Sequence, residues 1–76
     1  MKALMNTVGE KETQASNEIV ALLQKRGYVI TDVYVTRFVY NTGEEFVTVK
    51  ITNGNALVMP SDKTKKKINK ILSRIL

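Results

Sequence analysis

Cysteine and histidine are both absent from this chain of 76 residues. Without cysteine there can be no disulfide, and no thiolate is available to bind a metal or attack a substrate. Without histidine the chain lacks the commonest metal ligand and the commonest general base near neutral pH. The carboxylates form no metal-binding or catalytic pattern, and no Gly-rich phosphate loop or nucleophile motif occurs. We therefore expect a protein that is not an enzyme and that needs no metal and no cofactor.

Long apolar runs are also missing. The opening decapeptide, MKALMNTVGE, has no apolar run long enough for a signal peptide, and no later segment could span a bilayer. A reduced cytoplasm is the expected location, with no membrane partner. The length predicts one small domain over residues 1–76, with residues 1–9 as an N-terminal tail that could be flexible. A core this small gives little stability, so a homodimer is an open alternative.

Acidic residues are scarce towards the end of the chain. The net charge is +5, and residues 1–50 contribute none of it because their six cations balance their six acids. Residues 51–76 carry six cations against Asp62 alone. Such an uneven distribution indicates an anionic partner. The six cations are Lys63, Lys65, Lys66, Lys67, Lys70 and Arg74.

The periodicity of apolar residues predicts an α+β domain. A stripe at i, i+4, i+7 and i+8 from Ala15 predicts a helix from about Glu10 or Thr13 to Arg26, with Gly27 as its stop signal. Residues 28–40 and 46–52 are rich in β-branched and aromatic side chains, which predicts two strands.

The remaining elements complete the predicted fold. Asn53-Gly54 predicts a hairpin turn into a short third strand, Pro60 ends the sheet, and Ser61 can cap a last helix. The predicted fold is a two-layer α-β-β-β-α domain with a three-stranded antiparallel sheet and both helices on one face.

The pairing of the first two strands decides which side chains share a face. A three-residue loop from Thr42 to Glu44 would place Val39 opposite Val47 and keep the valines together on the helix side. Arg37 falls on that side too, where we expect it at the edge of the sheet with its charge extended to solvent.

The opposite face of the predicted sheet is aromatic. Large exposed apolar patches usually mark interfaces, so this face could bind a partner protein or a second copy of the chain. Aromatic pairs that only stabilise the hairpin explain it equally well. Base stacking on a single strand ranks behind both, because only one lysine adds charge there. The candidate interface residues are Tyr34, Phe38, Tyr40, Phe46 and Lys50.

The last helix separates its apolar and cationic side chains. At 100° per residue the cations lie between about 160° and 260° from Ile68, except for Lys65 near the apolar edge. A solvated polar face is the plain explanation. However, each lysine in the first turn should cost about 0.3–1 kcal/mol against the helix dipole. Because free N–H groups and lysines together suit a phosphate, we favour anion binding.

The layout and the lysines together resemble the double-stranded RNA-binding domain. IVALLQKRGY is similar to the end of that family's first helix, and TKKKINKIL is similar to the Ser-Lys-Lys start of its second, with Thr64 as cap. The resemblance implies that Lys65 and Lys66 contact phosphates across a major groove. The chain departs from the family at Ala21, which replaces a glutamate, and in its short acidic NTGEE loop.

Two functions are therefore predicted. The first is a small nucleic-acid-binding protein whose six cations contact the phosphate backbone of duplex RNA or DNA with little sequence preference. The alternative is a small regulator or inhibitor that docks on another protein through the aromatic face. Attachment to a membrane surface ranks last, because the apolar face of the last helix is needed for the core.

Overall fold

The structure, a computed structural model, describes residues 4–7 and 9–75. The strands form one antiparallel sheet in the order β1-β2-β3-β4. The α+β class and the order α-β-β-β-α from the first helix to the last are confirmed. In chain order the elements are β1 (Leu4–Thr7), α1 (Glu10–Lys25), β2 (Asp32–Tyr40), β3 (Glu45–Asn53), β4 (Ala56–Leu57) and α2 (Asp62–Leu72).

An additional strand precedes α1. Residues Leu4–Thr7 pair antiparallel with the end of β2, so the sheet contains β1 beside the three predicted strands. Four residues of the segment 1–9, which we expected to be a tail, therefore belong to the sheet. Residues 1–3 and 8 lie outside the described residues. A strand of four residues is too short to show a reliable period in the sequence.

Local hydrogen bonds set both ends of α1. At the start, the N–H of Gly9 donates to the carboxylate of Glu12 over 3.0 Å. At the end, Gly27 adopts a φ of 85°, and the N–H of Tyr28 donates to the carbonyl of Leu23 over 3.0 Å. This is a Schellman motif, in which glycine takes the left-handed position. The prediction of Gly27 as the stop signal is confirmed.

The pairing of β2 with β3 differs from the predicted one. Val39 lies opposite Glu45 rather than Val47, and Val35 lies opposite Val49. The displacement amounts to two residues, so every side chain still points to its predicted face, because faces alternate with a period of two.

The hairpin loop explains this displacement. The loop has three residues, as predicted, but they are residues 41–43, because the N–H of Tyr40 donates to the carbonyl of Glu44 over 2.9 Å. Gly43 has a φ of 88°. Three-residue loops end on a residue in this left-handed conformation, which favours glycine in the third position rather than the second.

The hydrophobic core lies between the sheet and both helices, as predicted. Fully burying one large aliphatic side chain contributes about 1.5–3 kcal/mol, so these positions dominate the stability of the domain. The hydroxyl of Ser16 also donates to the carbonyl of Val33 over 2.6 Å and joins α1 to β2. The buried core residues are Ala15, Ile19, Leu23, Val33, Val35, Ile51, Ile68, Leu72 and Ile75.

Arg37 does not lie at the edge of the sheet. Because β1 pairs with β2, Arg37 is flanked on both sides, and its guanidinium turns to two carboxylates. Its Nε is 3.5 Å from Glu12 Oε1, and one terminal nitrogen is 3.7 Å from Glu45 Oε1. Glu12 is only 4% exposed, and a buried carboxylate requires such a partner.

Candidate nucleic-acid interface

The first turn of α2 is anchored to the end of α1. Ser61 caps the helix as predicted, its hydroxyl accepting from the N–H of Thr64 over 3.4 Å. The Thr64 hydroxyl accepts from the guanidinium of Arg26 over 3.1 Å, and the N–H of Ser61 donates to the Tyr28 hydroxyl over 2.9 Å. Thr64 is the third helical residue and only 1% exposed, so its assignment as the cap from the family resemblance is wrong.

The same hydrogen bonds alter the acidity of Tyr28. The pKa of its phenol is lowered from 10.0, mainly by hydrogen bonding with the side chain of Ser61, and then by its backbone and the side chain of Thr64. The positive charge of Arg26 adds to this effect. Donors that hold a phenolate stabilise its anionic form. The hydrogen bonds at the start of α2 therefore favour the anionic form of Tyr28.

The lysines of α2 face away from the core. Ile68 and Leu72 are buried on one side of the helix, whereas all five lysine side chains are exposed on the others. Within the part of the chain that the structure describes, none of the five forms an ion pair. These residues, which we call the lysine stripe, are Lys63, Lys65, Lys66, Lys67 and Lys70.

Arg74 does not share the helix with the lysine stripe. The helix ends at Leu72, and the hydroxyl of Ser73 donates to the carbonyl of Lys70 over 2.7 Å. Arg74 follows in a turn, where its guanidinium lies 3.0 Å from the carboxylate of Glu18 on α1. The predicted run of six cations along one helix is therefore corrected to five lysines on α2 and one paired arginine beyond it.

Lys65 lies apart from the other members of the stripe, as the helical geometry predicted. It borders an apolar cleft of about 430 Å³ between α2 and the β3–β4 side of the sheet, and Lys50 also borders this cleft. Lys67 and Lys70 instead border the groove between α2 and α1. The cationic surface therefore spans three sides of the helix.

One cation at this site was missed by sequence reasoning. Arg26 is exposed, and its bond to Thr64 places its charge beside the first turn of α2. The two residues are 38 positions apart in the chain. No local pattern in the sequence could have revealed the contact, because it exists only once α1 and α2 pack together.

The structure brings three of the four predicted aromatic residues together on the open face. The rings of Phe38 and Phe46 are stacked with centroids 4.9 Å apart, and the ring of Tyr40 lies 5.6 Å from Phe46. Such cross-strand pairs stabilise a hairpin. Tyr34 lies further along β2 opposite Lys50 and is 53% exposed.

No protein-family model, curated protein or solved structure matches this chain. The order α-β-β-β-α with an antiparallel sheet is compatible with the fold of the double-stranded RNA-binding domain, and β1 is an addition to that layout. Among the described residues, no helix has the length and apolar character needed to cross a membrane.

Proposed function

We propose that the lysine stripe of α2 binds the phosphate backbone of duplex nucleic acid without reading the base sequence. A contrast between two of the three arginines and the lysines of the stripe carries this proposal; the third arginine, Arg26, donates to Thr64 instead of pairing with a carboxylate. Arg37 is paired with Glu12 and Glu45, and Arg74 is paired with Glu18. No lysine of the stripe has such a partner among the residues that the structure describes. Each of these three carboxylates is thus paired with an arginine and not with a lysine of the stripe.

Repulsion within the stripe supports the same proposal. Four like-charged pairs occur at i,i+3 or i,i+4 spacing, formed by Lys63, Lys66, Lys67 and Lys70. Each such pair destabilises a helix by roughly 0.2–0.5 kcal/mol, so together they cost about 1–2 kcal/mol. A face adapted only to solvent would include acids between them. A bound polyanion would attract all four lysines and so offset the repulsion between them.

The length of the stripe suits several phosphates of one strand. Lys63 and Lys70 are seven residues apart, which corresponds to about 10.5 Å along a helix. One strand of a B-form duplex carries a phosphate about every 3.4 Å of axis, so a stripe parallel to that axis spans the axial rise of about three phosphates. The charge lies on a helix and not on the aromatic sheet, which favours a duplex over a single strand.

The choice between RNA and DNA depends on the family resemblance alone. In that family the lysines matching Lys65 and Lys66 contact phosphates across a major groove. Lys66 lies midway between Lys63 and Lys70 along the helix, whereas Lys65 borders the apolar cleft. We therefore assign Lys66 a central contact and Lys65 a marginal one.

Fluorescence anisotropy with labelled duplex RNA, duplex DNA and single strands, titrated across a salt series, tests this function. With three to five phosphate contacts, the slope of log affinity against log salt should be about −3 to −4.5 for duplex DNA. The double variant Lys66→Glu, Lys70→Glu should lose binding. The matched control Lys11→Glu, Lys25→Glu makes the same change in net charge on exposed positions of α1 and should retain most of it.

Two results would contradict the proposal. Equal losses in both double variants would show that the overall charge matters rather than the stripe. Absence of binding to any nucleic acid at low salt would exclude the function altogether.

A second candidate function is docking of a partner protein on the open face of the sheet. Among the described residues no layer covers this face, and Tyr34, Phe46 and Leu57 are 53%, 37% and 64% exposed. The double variant Tyr34→Ser, Leu57→Ser tests it without disturbing the stacked rings of Phe38 and Phe46. It should abolish binding of the protein partner and leave nucleic-acid binding unchanged.

A further inference from the structure

The outer edge of β3 is largely unpaired. The neighbouring strand β4 has only two residues, which pair with Thr52 and Asn53. One further bond follows, from the N–H of Val58 to the carbonyl of Ile51 over 2.9 Å. Beyond that point, no described strand lies beside residues 45–50. Such a row of open backbone groups is a template for another strand.

The direction of each backbone group along this edge follows from two hydrogen bonds. The carbonyl of Thr52 accepts from the N–H of Thr31, on the β2 side, whereas the carbonyl of Ile51 accepts from Val58 on the outer side. In an antiparallel strand the direction alternates from residue to residue. Within residues 45–50 the outward set therefore comprises the N–H and carbonyl groups of Glu45, Val47 and Val49.

Apart from its two charged residues, Glu45 and Lys50, this edge lacks the features that prevent strand addition. Its sequence, EFVTVK, contains no proline and no glycine, and its pairing with β2 runs without a bulge. Valine, threonine and phenylalanine favour the strand conformation, and the segment carries one acid and one base. Natural edge strands of this kind are normally paired or covered.

We propose that two copies of the chain pair antiparallel through this edge, with the two-fold axis at Val47, to form one continuous sheet in the order β1-β2-β3-β3-β2-β1, with each β4 beside the end of its own β3. In this register Val47 faces Val47 of the second copy, and Glu45 faces Val49 at both ends. All outward groups are then satisfied by six hydrogen bonds. An axis at Val49 would instead require the carbonyl of Ile51, which already accepts from Val58.

The side chains are complementary in the same register. Glu44 of each copy lies opposite Lys50 of the other, and both side chains are exposed. Directly opposite charges stabilise a strand pair, and here the pair occurs twice. The two Phe46 rings become diagonal neighbours, so the stack of Phe38 on Phe46 continues across the axis. The charge pattern makes a second copy of this chain the fitting occupant of the edge.

In such a dimer, equivalent surfaces of the two copies lie on the same side of the shared sheet. A two-fold axis perpendicular to the sheet keeps all four helices on one side and the aromatic face on the other. Both copies of α2 then lie on the same side of the dimer. This inference does not depend on nucleic-acid binding, because the edge of β3 and the lysine stripe share no residue.

A charge swap tests the dimer by analytical ultracentrifugation over a concentration series without nucleic acid. Lys50→Glu places a carboxylate opposite Glu44 at both ends of the paired strands. Because these like charges repel, the dissociation constant of the dimer should rise about tenfold. Glu44→Lys should have the same effect. The double variant Glu44→Lys, Lys50→Glu should restore the original constant, because attraction returns with reversed signs. Circular dichroism of each variant checks that these exposed substitutions leave the fold intact.

Cysteine cross-linking tests the register. Val47→Cys should form a disulfide-linked dimer under mild oxidation, since the two positions are directly opposite each other, about 5.5 Å apart between Cα atoms. Thr48→Cys is the matched control, because Thr48 lies opposite Phe46 of the second copy and should cross-link poorly. A chain that stays monomeric at its highest soluble concentration would overturn the proposal. So would a dimer that neither responds to the charge swap nor cross-links at position 47.

Discussion

Glu12 offers the sharpest test of how this fold is held together. Its carboxylate accepts from the N–H of Gly9 over 3.0 Å and lies 3.5 Å from the Nε of Arg37. That Nε is buried and makes no hydrogen bond within the part of the chain that the structure describes, so the ion pair is its main compensation. Glu12→Ala removes both interactions at once.

The size of the effect can be worked out from these contacts. Losing a side chain that caps a helix costs about 1 kcal/mol. Removing one partner of a fully buried ion pair costs about 3–5 kcal/mol. The Arg37 side chain, however, is 30% exposed and keeps Glu45 at 3.7 Å. We therefore expect the loss of this ion pair to cost about 1–2 kcal/mol. The expected total is about 2–3 kcal/mol, a large fraction of the stability of a small domain.

Urea unfolding followed by circular dichroism measures this loss as a lower midpoint with an unchanged slope. The matched control is Glu10→Ala in the same helical turn, where the exposed side chain contributes about 0.3–1 kcal/mol through the helix dipole. In the double variant Glu12→Ala, Arg37→Met the loss should be smaller than the sum of the single losses. Equal costs for Glu12→Ala and Glu10→Ala, or full additivity, would refute the ion pair.

Three further predictions concern the turn, the anchor of α2 and the site. Gly43→Ala should lower the free energy of unfolding by about 1–2 kcal/mol because of its φ of 88°, and an unchanged urea midpoint would argue against this loop. Because folding lowers the pKa of Tyr28, its ionisation adds stability that is present above pH 10.0 and lost as the pH falls through the folded pKa. The difference in unfolding free energy between the protein and Tyr28→Phe should therefore grow with rising pH, and a constant difference would contradict this. Finally, Lys70→Gln should reduce the magnitude of the slope of log affinity against log salt by about 1. Arg74→Gln should change this slope less, because Glu18 lies 3.0 Å from Arg74 and already balances its charge.

The elements that sequence reasoning predicted correctly are those with a strong local signal. The stripe around Ile19 repeats with the period of a helix, Gly27 has the conformation that ends a helix, and Ser61 directly precedes α2. The alternation in β2 and β3 assigned the faces correctly even though the pairing was displaced.

The displaced pairing of β2 with β3 comes from the local geometry of the hairpin loop, whereas other errors arise from contact between distant parts of the chain. β1 is too short to have a periodic pattern, and its effect is to move Arg37 from an edge into the middle of the sheet. Arg74 looked like a continuation of the lysine stripe until the packing of α1 on α2 brought Glu18 beside it. The sequence therefore identified the lysines of the proposed interface, but it misplaced Arg74 and did not reveal Arg26.

The sequence by itself determined the class of the fold, the faces of the helices and strands, and the concentration of positive charge near the end of the chain. These properties depend on periodicity and composition, which act over a few neighbouring residues. Only the tertiary structure decided which charges are neutralised, because ion pairs such as Arg37 with Glu12 join residues that are far apart in sequence. It also left residues 45–50 of β3 without a neighbouring strand among the described residues, since β4 ends after two residues and the chain turns away towards α2.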